Sequence, residues 1–257
     1  VKIYAIELDF TPPKRKISVM SFYLYLLNHT EGVIKLADSV LFTNKNSVCL
    51  AGVIPENCDR APVIEKPSMD FLLSGVLQPN ISSLPMVLEA FAHVGDCRLH
   101  ITGNSNSKQL QEYAEKYPNI IYYGVLSSDD YRTLLHRVTF QLSLRNPNWT
   151  DNQCNFPSKI IEALLHNRIV ISTIRYPQIE GIKYIETKRS VDAFVNTLKQ
   201  ILLMRDEELM DYANQSDVVI NRFKPSVWNE WMTKIENHPN KYCYEISDFT
   251  KHNRSLS

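Results

Sequence analysis

The residues most suited to chemistry lie close together between residues 155 and 173. Pro157 and Ser158 mark the start of a helix, and Lys159 and Glu162 follow in its first turns. The free N–H groups of a helix start favour an anion, so a lysine there predicts a phosphate-binding position. Glu162 lies four residues after Ser158 and shares a more polar side of the helix with it. The other side is apolar at helical spacing and is predicted to face the core: Ile160, Ile161, Leu164 and Leu165.

The elements around this stretch alternate between strands and helices. After the motif helix and three polar residues, a run of β-branched residues predicts a buried strand. In all, six strands are predicted after residue 69: 71–74, 98–102, 120–123, 138–144, 169–173 and 182–185. The helices predicted beside them are 84–94, 108–117, 129–137, the motif helix and 191–204. This alternation predicts an α/β fold: a parallel, doubly wound, Rossmann-like sheet with helices on both faces.

The loops that follow these strands are the expected place for a ligand. Sheets of this kind bind ligands at the carboxyl ends of their strands. Gly75, Gly103 and Gly124 each follow one of the first three strands, Val125 comes next, and Arg145 ends the fourth strand. The guanidinium of an arginine suits phosphate oxygens, although Arg145 is equally well interpreted as a solvated loop residue.

The sequence patterns at the two ends of the chain predict less regular structure. Residues 2–8 predict a strand, residues 18 to about 37 a helix interrupted near Gly32, and residues 39–43 a second short buried strand, with a brief helix from Asn46. One βαβ unit is too small for an independent α/β domain. Residues 60–68, with three charges and two prolines, have the composition of an interdomain linker. Residues 206–237 are helical by pattern, and the polar tail from Pro239 onward receives no assignment.

Composition excludes several classes of protein. With 44% hydrophobic and 22% charged residues, the 257-residue chain is a foldable globular one. Lys+Arg and Asp+Glu are both 28, so no nucleic-acid partner is expected. The five cysteines are scattered without a Cys-x-x-Cys pair, which favours a reducing cytoplasm over a disulfide framework or a zinc site. His100 and His166 have no carboxylate or cysteine at ligand spacing, so neither is expected to bind a metal.

Residues 155–173 resemble the donor-sugar motif of retaining glycosyltransferases of the GT-B fold, the group 1 or family 4 class. In that family a Phe-Pro-Ser-Lys turn opens a helix whose Glu contacts the ribose of the donor, and a strand follows. Other segments resemble family motifs in the same order: Leu73-Ser74-Gly75 with Glu89-Ala90-Phe91, His100-Ile101-Thr102-Gly103, and Ile121-Tyr122-Tyr123-Gly124-Val125. The order and spacing of the four pieces carry the resemblance, which covers most of residues 70–174.

The resemblance implies a division of the chain into three parts. Residues 1–66 would be the last unit of an acceptor-side Rossmann-like domain and the linker after it. Residues 67–205 would be the C-terminal domain that binds a nucleotide sugar. Residues 206–257 would be a C-terminal helix and tail that pack back on the N-terminal unit. The rest of the acceptor domain, with the catalytic residues that the resemblance leaves unknown, is expected to precede this chain.

The resemblance also implies a ligand and its position. The donor would be a UDP- or GDP-linked sugar, with its base against Gly124 and Val125 and its ribose on Glu162. Its diphosphate would lie over the helix start at Pro157, Ser158 and Lys159. The acceptor would be a saccharide or a lipid-linked saccharide, and the sugar would be transferred with retention of its anomeric configuration. No metal or other cofactor is expected, because basic side chains and a helix dipole handle the diphosphate charge in this fold.

Two positions depart from the family pattern. The family often has an arginine after the first glycine and a lysine soon after it, and together they hold the diphosphate. Here those positions are Val76 and about Ser82, and no Lys or Arg lies between Gly75 and Arg98. In the common Glu-x7-Glu motif, the first Glu would fall at Cys154, which cannot bind sugar hydroxyls in the same way. The positive charge is therefore expected from Lys159 and Arg145.

These departures keep other functions open. The leading hypothesis is a hexosyltransferase of polysaccharide or glycoconjugate synthesis, which as this chain alone is expected to bind nucleotide diphosphate with little sugar transfer. The main alternative is a non-catalytic, glycosyltransferase-like subunit that binds nucleotide sugar and assists a partner enzyme. A nucleotide-sugar epimerase would need further acid and base groups that the sequence does not indicate. The expected location is the cytoplasm, with peripheral membrane association through the preceding N-terminal part as a further expectation.

Overall fold

The computed structural model describes residues 4–7, 12–37 and 39–237. Its strands are β1 Tyr4–Glu7, β2 Gly32–Lys35, β3 Ser47–Cys49, β4 Asp70–Ser74, β5 Arg98–Thr102, β6 Ile120–Tyr122, β7 Phe140–Ser143, β8 Ile169–Ser172 and β9 Ile185–Glu186. Its helices are α1 Val19–His29, α2 Pro79–Ser82, α3 Leu84–His93, α4 Lys108–Lys116, α5 Ser128–Arg137, α6 Thr150–Cys154, α7 Ser158–Leu165, α8 Val191–Leu203, α9 Asp206–Met210, α10 Ser216–Phe223 and α11 Pro225–Asn237, with a 3-10 turn at Pro177–Ile179.

The larger sheet confirms the predicted doubly wound architecture. Its six strands are all parallel and lie in the order β6-β5-β4-β7-β8-β9. The chain starts in the middle, moves outward to β6, and returns through β7 to the other edge. The point between β4 and β7 where this direction reverses is where ligands of such sheets bind.

One face of this sheet carries an aromatic core. The rings of Phe71 and Phe140 stack at 4.4 Å between centroids, and Phe91 contacts Phe71 edge-on at 5.3 Å. Phe194 of α8 packs against Phe91 in turn. All four side chains are fully buried, and each contributes roughly 1.5–3 kcal/mol through removal of apolar surface from water. This core fixes the strand positions, and therefore the positions of the loops at their carboxyl ends.

The smaller sheet corrects the prediction for residues 30–49. It contains β1, β2 and β3 in that order, all parallel. Residues 32–35, predicted as helix, form the buried strand β2, and the brief helix predicted from Asn46 is instead strand β3. Residues 39–43, predicted as a strand, form a turn in which Phe42 packs on Leu27 of α1. A short apolar run does not distinguish a buried strand from a turn that packs its side chains inward.

The last described helix contacts the smaller sheet. Residues 206–237, predicted as helical, form three helices, of which α11 carries buried Trp231 and Ile235. These two side chains pack against Ile34 of β2, Val48 of β3 and Leu50, which follows β3. The indole N–H of Trp228 donates to the carbonyl of Gly52 at 2.8 Å. The tail from Pro239, to which no element was assigned, lies outside the described residues.

The segment between the two sheets is hydrogen-bonded to the turn between α7 and β8. The backbone N–H of Ala61 donates to Nδ1 of His166 at 3.1 Å, and the amide of Asn167 donates to the Ala61 carbonyl. The guanidinium of Arg168 donates to the carbonyl of Pro62. His166, Asn167 and Arg168 are all buried. This segment, predicted as a linker, is therefore anchored through the three polar residues that follow the motif helix.

The anchoring histidine is expected to make the stability of the fold depend on pH. Burial and the neighbouring His136, whose Nε2 lies 3.2 Å from His166 Nδ1, lower the pKa of His166, while Asp59 and Glu162 partly oppose this and Arg168 adds to it. A histidine with a lower pKa when folded stabilises the protein above its unfolded pKa of about 6.5, and this contribution is lost as pH falls from there toward the folded pKa. We expect the free energy of unfolding, from urea titrations, to fall in that window.

His166→Asn is the matched variant for this prediction, because the asparagine side-chain oxygen can still accept from Ala61 but does not titrate. We expect a shallower fall of the unfolding free energy in this variant. An equal pH dependence in the two proteins would show that other groups are responsible.

In the part of the chain that the structure describes, every helix is too short or too polar to cross a membrane.

Candidate functional site

Three glycines line the carboxyl edge of the larger sheet, as the sequence predicts. Gly75, Gly103 and Gly124 follow β4, β5 and β6, and all three have positive φ angles of 103°, 143° and 68°. The N–H of Gly75 donates to the Thr102 carbonyl at 3.0 Å, and the N–H of Gly103 donates to the Gly124 carbonyl at 2.9 Å. A Cβ atom at Gly103 would collide with the carbonyl oxygen of Gly75. The loops therefore stack as bare backbone, which a ligand can approach closely.

The helix α7 begins beside these loops. Pro157 is its N-cap residue and supplies no side-chain hydrogen bond, so the first N–H groups of the helix are left without a side-chain cap. Val125, after Gly124, is 74% exposed at the same edge of the sheet. The stem of Lys159 crosses to the loop after β4, where a Cβ atom placed on Gly75 would lie 3.2 Å from Lys159 Cε. The structure thus joins the predicted phosphate-binding helix start to the first glycine loop.

Lys159 and Glu162 meet on a third residue, Tyr131 of α5. The ammonium of Lys159 lies 3.3 Å from Glu162 Oε2 and 3.2 Å from the Tyr131 hydroxyl, and 4.5 Å above the tyrosine ring. The hydroxyl donates to the same Glu162 Oε2 at 2.9 Å. The Lys159 and Glu162 side chains are 38% and 37% exposed, so solvent and ligands can reach both. We refer to these three residues as the Lys159 cluster.

The charges of the cluster follow from these contacts. Burial disfavours the charged form of Lys159, but its interactions with Tyr131 and Glu162 outweigh this effect and raise the pKa of the ammonium. Burial also raises the pKa of Tyr131, so its hydroxyl keeps the proton that it donates to Glu162. At neutral pH the cluster is therefore a lysine cation paired with a glutamate anion across a neutral tyrosine.

A cavity of about 620 Å³ opens beside the cluster. It lies between α5 and α7 and is covered by residues 51–59. Ser128, Tyr131, Ser158 and Glu162 line it, together with apolar side chains such as Leu135. A second cavity, of about 520 Å³ around residues 175–186, contains none of the predicted site residues. Because the larger one combines convergent polar groups with an apolar wall, we take it as part of the candidate site.

Arg145 and Cys154 have contacts of a different kind. The guanidinium of Arg145 donates to Oδ1 of Asn152 at 3.1 Å, and its carbonyl accepts from the hydroxyl of Thr173. Arg145 thereby orders the loop that contains α6, and its role towards a phosphate stays a prediction. The thiol of Cys154 is buried against Leu27 and Phe42, with its sulfur 3.4 Å from the Ser39 hydroxyl.

Sequence reasoning missed Tyr131 as a site residue. The pattern placed Tyr131 on a predicted helix but gave no reason to connect it with Lys159 and Glu162, which come 28 and 31 positions later in the chain. Behind it, the hydroxyl oxygen of Ser74 lies 3.5 Å from the Tyr131 hydroxyl and accepts from the buried amide of Gln141 at 3.4 Å. A polar side chain inside a buried strand, as at Gln141, is the one signal in the sequence that could have indicated this position.

The structure also gives His100 partners that sequence spacing did not indicate. The pairing of β4 with β5 brings the Asp70 carboxylate to 2.9 Å from His100 Nε2, and the Tyr123 hydroxyl lies 2.8 Å from Nδ1. Within residues 4–7, 12–37 and 39–237, no group of three or more His, Cys, Asp or Glu side chains is arranged to hold a metal ion.

Comparison with known proteins identifies a family whose sequence pattern matches the larger part of the chain. The family described as "Glycosyl transferases group 1" matches residues 69–204. No curated protein sequence matches the chain.

Several solved structures resemble the chain. The structure of TarM, a Staphylococcus aureus protein, superposes with a TM-score of 0.66 at 13% identity, over 91% of this chain and 50% of that one. HepE of Anabaena, in complex with UDP and glucose, gives 0.65 at 12% identity, over 92% and 71%. Sucrose-phosphate synthase of Thermosynechococcus elongatus gives 0.62 at 12% identity, over 84% and 60%. The chain thus spans about half the length of TarM.

Proposed function

Because the chain belongs to the group 1 glycosyltransferases and has their GT-B fold, we propose that it binds a nucleotide-diphosphate sugar and transfers the sugar to an acceptor. The observation that carries this proposal is the Lys159 cluster: a cation and a carboxylate 3.3 Å apart at a helix start, beside the bare loop of Gly75. A cation beside free helix N–H groups suits a diphosphate, and a carboxylate suits sugar hydroxyls.

In this proposal each part of the donor has a place. The diphosphate lies over Pro157, Ser158 and Lys159, and the ribose hydroxyls donate to Glu162. The base lies towards Gly124 and Val125, in the loop between β6 and α5. Since HepE was solved with UDP and glucose, a UDP-linked hexose is the first donor to test, ahead of a GDP-linked one.

The proposed chemistry is the departure of the nucleoside diphosphate from the sugar. As the glycosidic bond breaks, negative charge grows on the diphosphate, and fixed N–H groups and Lys159 stabilise that charge without reorganising. No metal is needed in this scheme, since a lysine and a helix start supply the positive charge. We further propose retention of configuration and a saccharide or lipid-linked saccharide as acceptor. The cytoplasm is the proposed location, supported by the free thiols of Cys49, Cys58, Cys97 and Cys154.

The direct test combines binding with turnover. Calorimetric titration with UDP, GDP and ADP would identify the nucleotide, and release of nucleoside diphosphate from the matching sugar donors would report transfer or hydrolysis. We expect at least one nucleoside diphosphate to bind and the Lys159→Ala protein to bind it weakly. A chain that binds none of the three nucleotides would contradict the proposed function.

Glu162 is the residue to test for ribose recognition. Glu162→Gln keeps the side-chain shape but loses the charge, so we expect the affinity for UDP to fall by about 1–2 kcal/mol, the scale of a weakened charge-assisted hydrogen bond. Titrations of uridine and UDP should both show the loss. Thermal unfolding serves as the control, because an isosteric change on a partly exposed helix side should leave stability within about 0.5 kcal/mol. Equal UDP affinity in the two proteins would make Glu162 only a partner of Lys159.

Arg145 is the residue to test as a second cation at the diphosphate. A diphosphate carries two to three negative charges, whereas a helix start supplies only about half a positive one, so a second cation beside Lys159 is expected. We expect Arg145→Ala to weaken UDP binding roughly two- to fivefold, by loss of a screened charge, and to leave uridine binding unchanged. A loss of uridine binding as well would instead indicate disorder of the loop that Arg145 holds through Asn152.

A second candidate function is a non-catalytic subunit that binds nucleotide sugar for a partner enzyme. Two observations favour it. Val76 is exposed where the family carries a cation, and Cys154 is buried where the family carries a sugar-binding Glu. Binding of UDP-sugar without release of UDP by this chain alone, together with a partner transferase whose activity rises when the chain is added, would support this function over transfer.

A further inference from the structure

The Lys159 cluster is satisfied by itself before any ligand arrives. The groups proposed to bind phosphate and ribose are each other's partners, since Lys159 and the Tyr131 hydroxyl both bond to Glu162 Oε2. Tyr131 contacts both groups, because its ring lies under the Lys159 ammonium and its hydroxyl donates to Glu162. A ligand that takes Lys159 leaves Glu162 without its cation, and a ligand that takes Glu162 leaves Lys159 without its anion.

We propose that the Lys159–Glu162 pair, held by Tyr131, makes the site selective for ligands that carry a diphosphate and a vicinal diol together. This inference rests on the proposed function and deepens it. A nucleoside alone or inorganic pyrophosphate alone replaces one partner and strands the other in a half-buried position, which costs free energy. A nucleoside diphosphate replaces both partners at once. Tyr131 acts as a specificity-determining residue because it holds the two charged groups together in the free protein.

The buried surroundings of Tyr131 support this arrangement. The amide oxygen of Gln141 is buried and has no hydrogen-bond partner within the residues that the structure describes. Its amide nitrogen lies 3.4 Å from the Ser74 hydroxyl oxygen, which is 3.5 Å from the Tyr131 hydroxyl. These two distances are long for hydrogen bonds between such groups. The polar chain from Gln141 through Ser74 to Tyr131 therefore has room to tighten when Tyr131 releases Glu162.

The proposal predicts effects of opposite sign from one substitution. Glu162→Gln removes the anion that holds Lys159, so the affinity for inorganic pyrophosphate should rise roughly three- to fivefold, the range of a partly exposed ion pair, while the affinity for UDP falls. Lys159→Met should likewise leave uridine binding equal to or stronger than that of the native protein. If Lys159 and Glu162 acted independently, Glu162→Gln would not release Lys159 from a partner, and the affinity for pyrophosphate would not rise by this route.

The experiment is competitive calorimetry with UDP, uridine and inorganic pyrophosphate at low ionic strength, where exposed pairs are least screened. Asp130→Asn is the charge control, because it removes one negative charge in the first turn of α5 while keeping an oxygen for Ser127, which donates to Asp130. Tyr131→Phe is the second variant: it keeps the ring beneath Lys159 but loses the hydroxyl, and should raise pyrophosphate affinity about twofold by the same reasoning.

The pyrophosphate affinities of the variants decide whether the Lys159–Glu162 pair makes the site selective. A rise in pyrophosphate affinity in Glu162→Gln, absent in Asp130→Asn, supports the selective pair. Unchanged or lower pyrophosphate affinity in Glu162→Gln, or an equal rise in Asp130→Asn, overturns it while UDP binding by the native chain leaves the proposed function standing. Absence of UDP binding by the native chain overturns both.

Discussion

Lys159→Ala should reduce the affinity for UDP by about 2–3 kcal/mol, or roughly 30- to 150-fold, and leave uridine binding almost unchanged. Lys159 is the cation that the structure places at the start of α7, with its stem against Gly75. Its removal leaves a bound diphosphate with the helix N–H groups, which supply about half a positive charge, and with Arg145, whose contribution is expected to be smaller. The loss should therefore be confined to ligands that carry phosphate.

The comparison of two ligands makes this result interpretable, because a variant that failed to fold would lose both. Lys116→Ala is a matched control, since Lys116 ends α4 as an exposed lysine. It should bind UDP as the native protein does. If Lys159→Ala retained native UDP affinity, the phosphates would have to lie elsewhere, and the assignment of the donor site to α7 would be wrong.

The architecture of the larger sheet was predictable because parallel strands covered on both faces appear in sequence as short apolar runs. The strands Asp70–Ser74 and Ile169–Ser172 both contain such a run, and the glycine or polar residues beside each run predicted the strand ends to within two residues. The smaller sheet was harder because Gly32–Lys35 directly follows a helix of similar apolar content. Burial against Trp231 and Ile235, some 200 residues later in the chain, decides that this segment is a strand.

The candidate site was predictable only where it is local. Lys159 and Glu162 belong to one helix start: the helix N-terminus indicated a phosphate-binding role for Lys159, and the resemblance of residues 155–173 to the family motif implied the role of Glu162. Tyr131 joins them only because α5 and α7 lie side by side on the sheet. Asp70 reaches His100 only through the register between β4 and β5. No periodicity encodes these contacts, since each depends on the tertiary placement of two elements that are distant in sequence.

Arg168 shows the same limit, since the sequence placed it in a polar turn but the structure buries it at 4% exposure. Its guanidinium donates to the carbonyls of His166 and Val138, each at 2.6 Å, and to those of His136 and Pro62. Burial lowers the pKa of this side chain, yet the arginine stays protonated at neutral pH. Its charge is compensated by the negative ends of two helix dipoles, because α5 ends at Arg137 and α7 at Leu165.

Two opposing effects decide what the loss of this guanidinium does. Arg168→Met removes the cost of burying a charge, but it leaves four carbonyls without this donor. The bonds to His166 and Val138 are buried, and each loss costs about 1–3 kcal/mol where water cannot replace the donor. Since these carbonyls lie at helix ends and in the segment anchored by His166, the second effect should dominate. We expect the free energy of unfolding to fall by about 2–4 kcal/mol.

Urea unfolding of three variants tests this expectation. Arg168→Lys keeps the charge and one or two of the hydrogen bonds, so it should recover part of the stability. Arg137→Met changes an exposed arginine at the end of α5 and should alter the free energy of unfolding by less than about 0.5 kcal/mol. Because Arg168 lies at the far ends of α5 and α7 from Tyr131 and Lys159, folded Arg168→Met protein should bind UDP with native affinity. Native stability in Arg168→Met would mean that water satisfies the four carbonyls, whereas a loss of UDP affinity in the folded protein would mean that anchoring of the segment before β4 reaches the donor site.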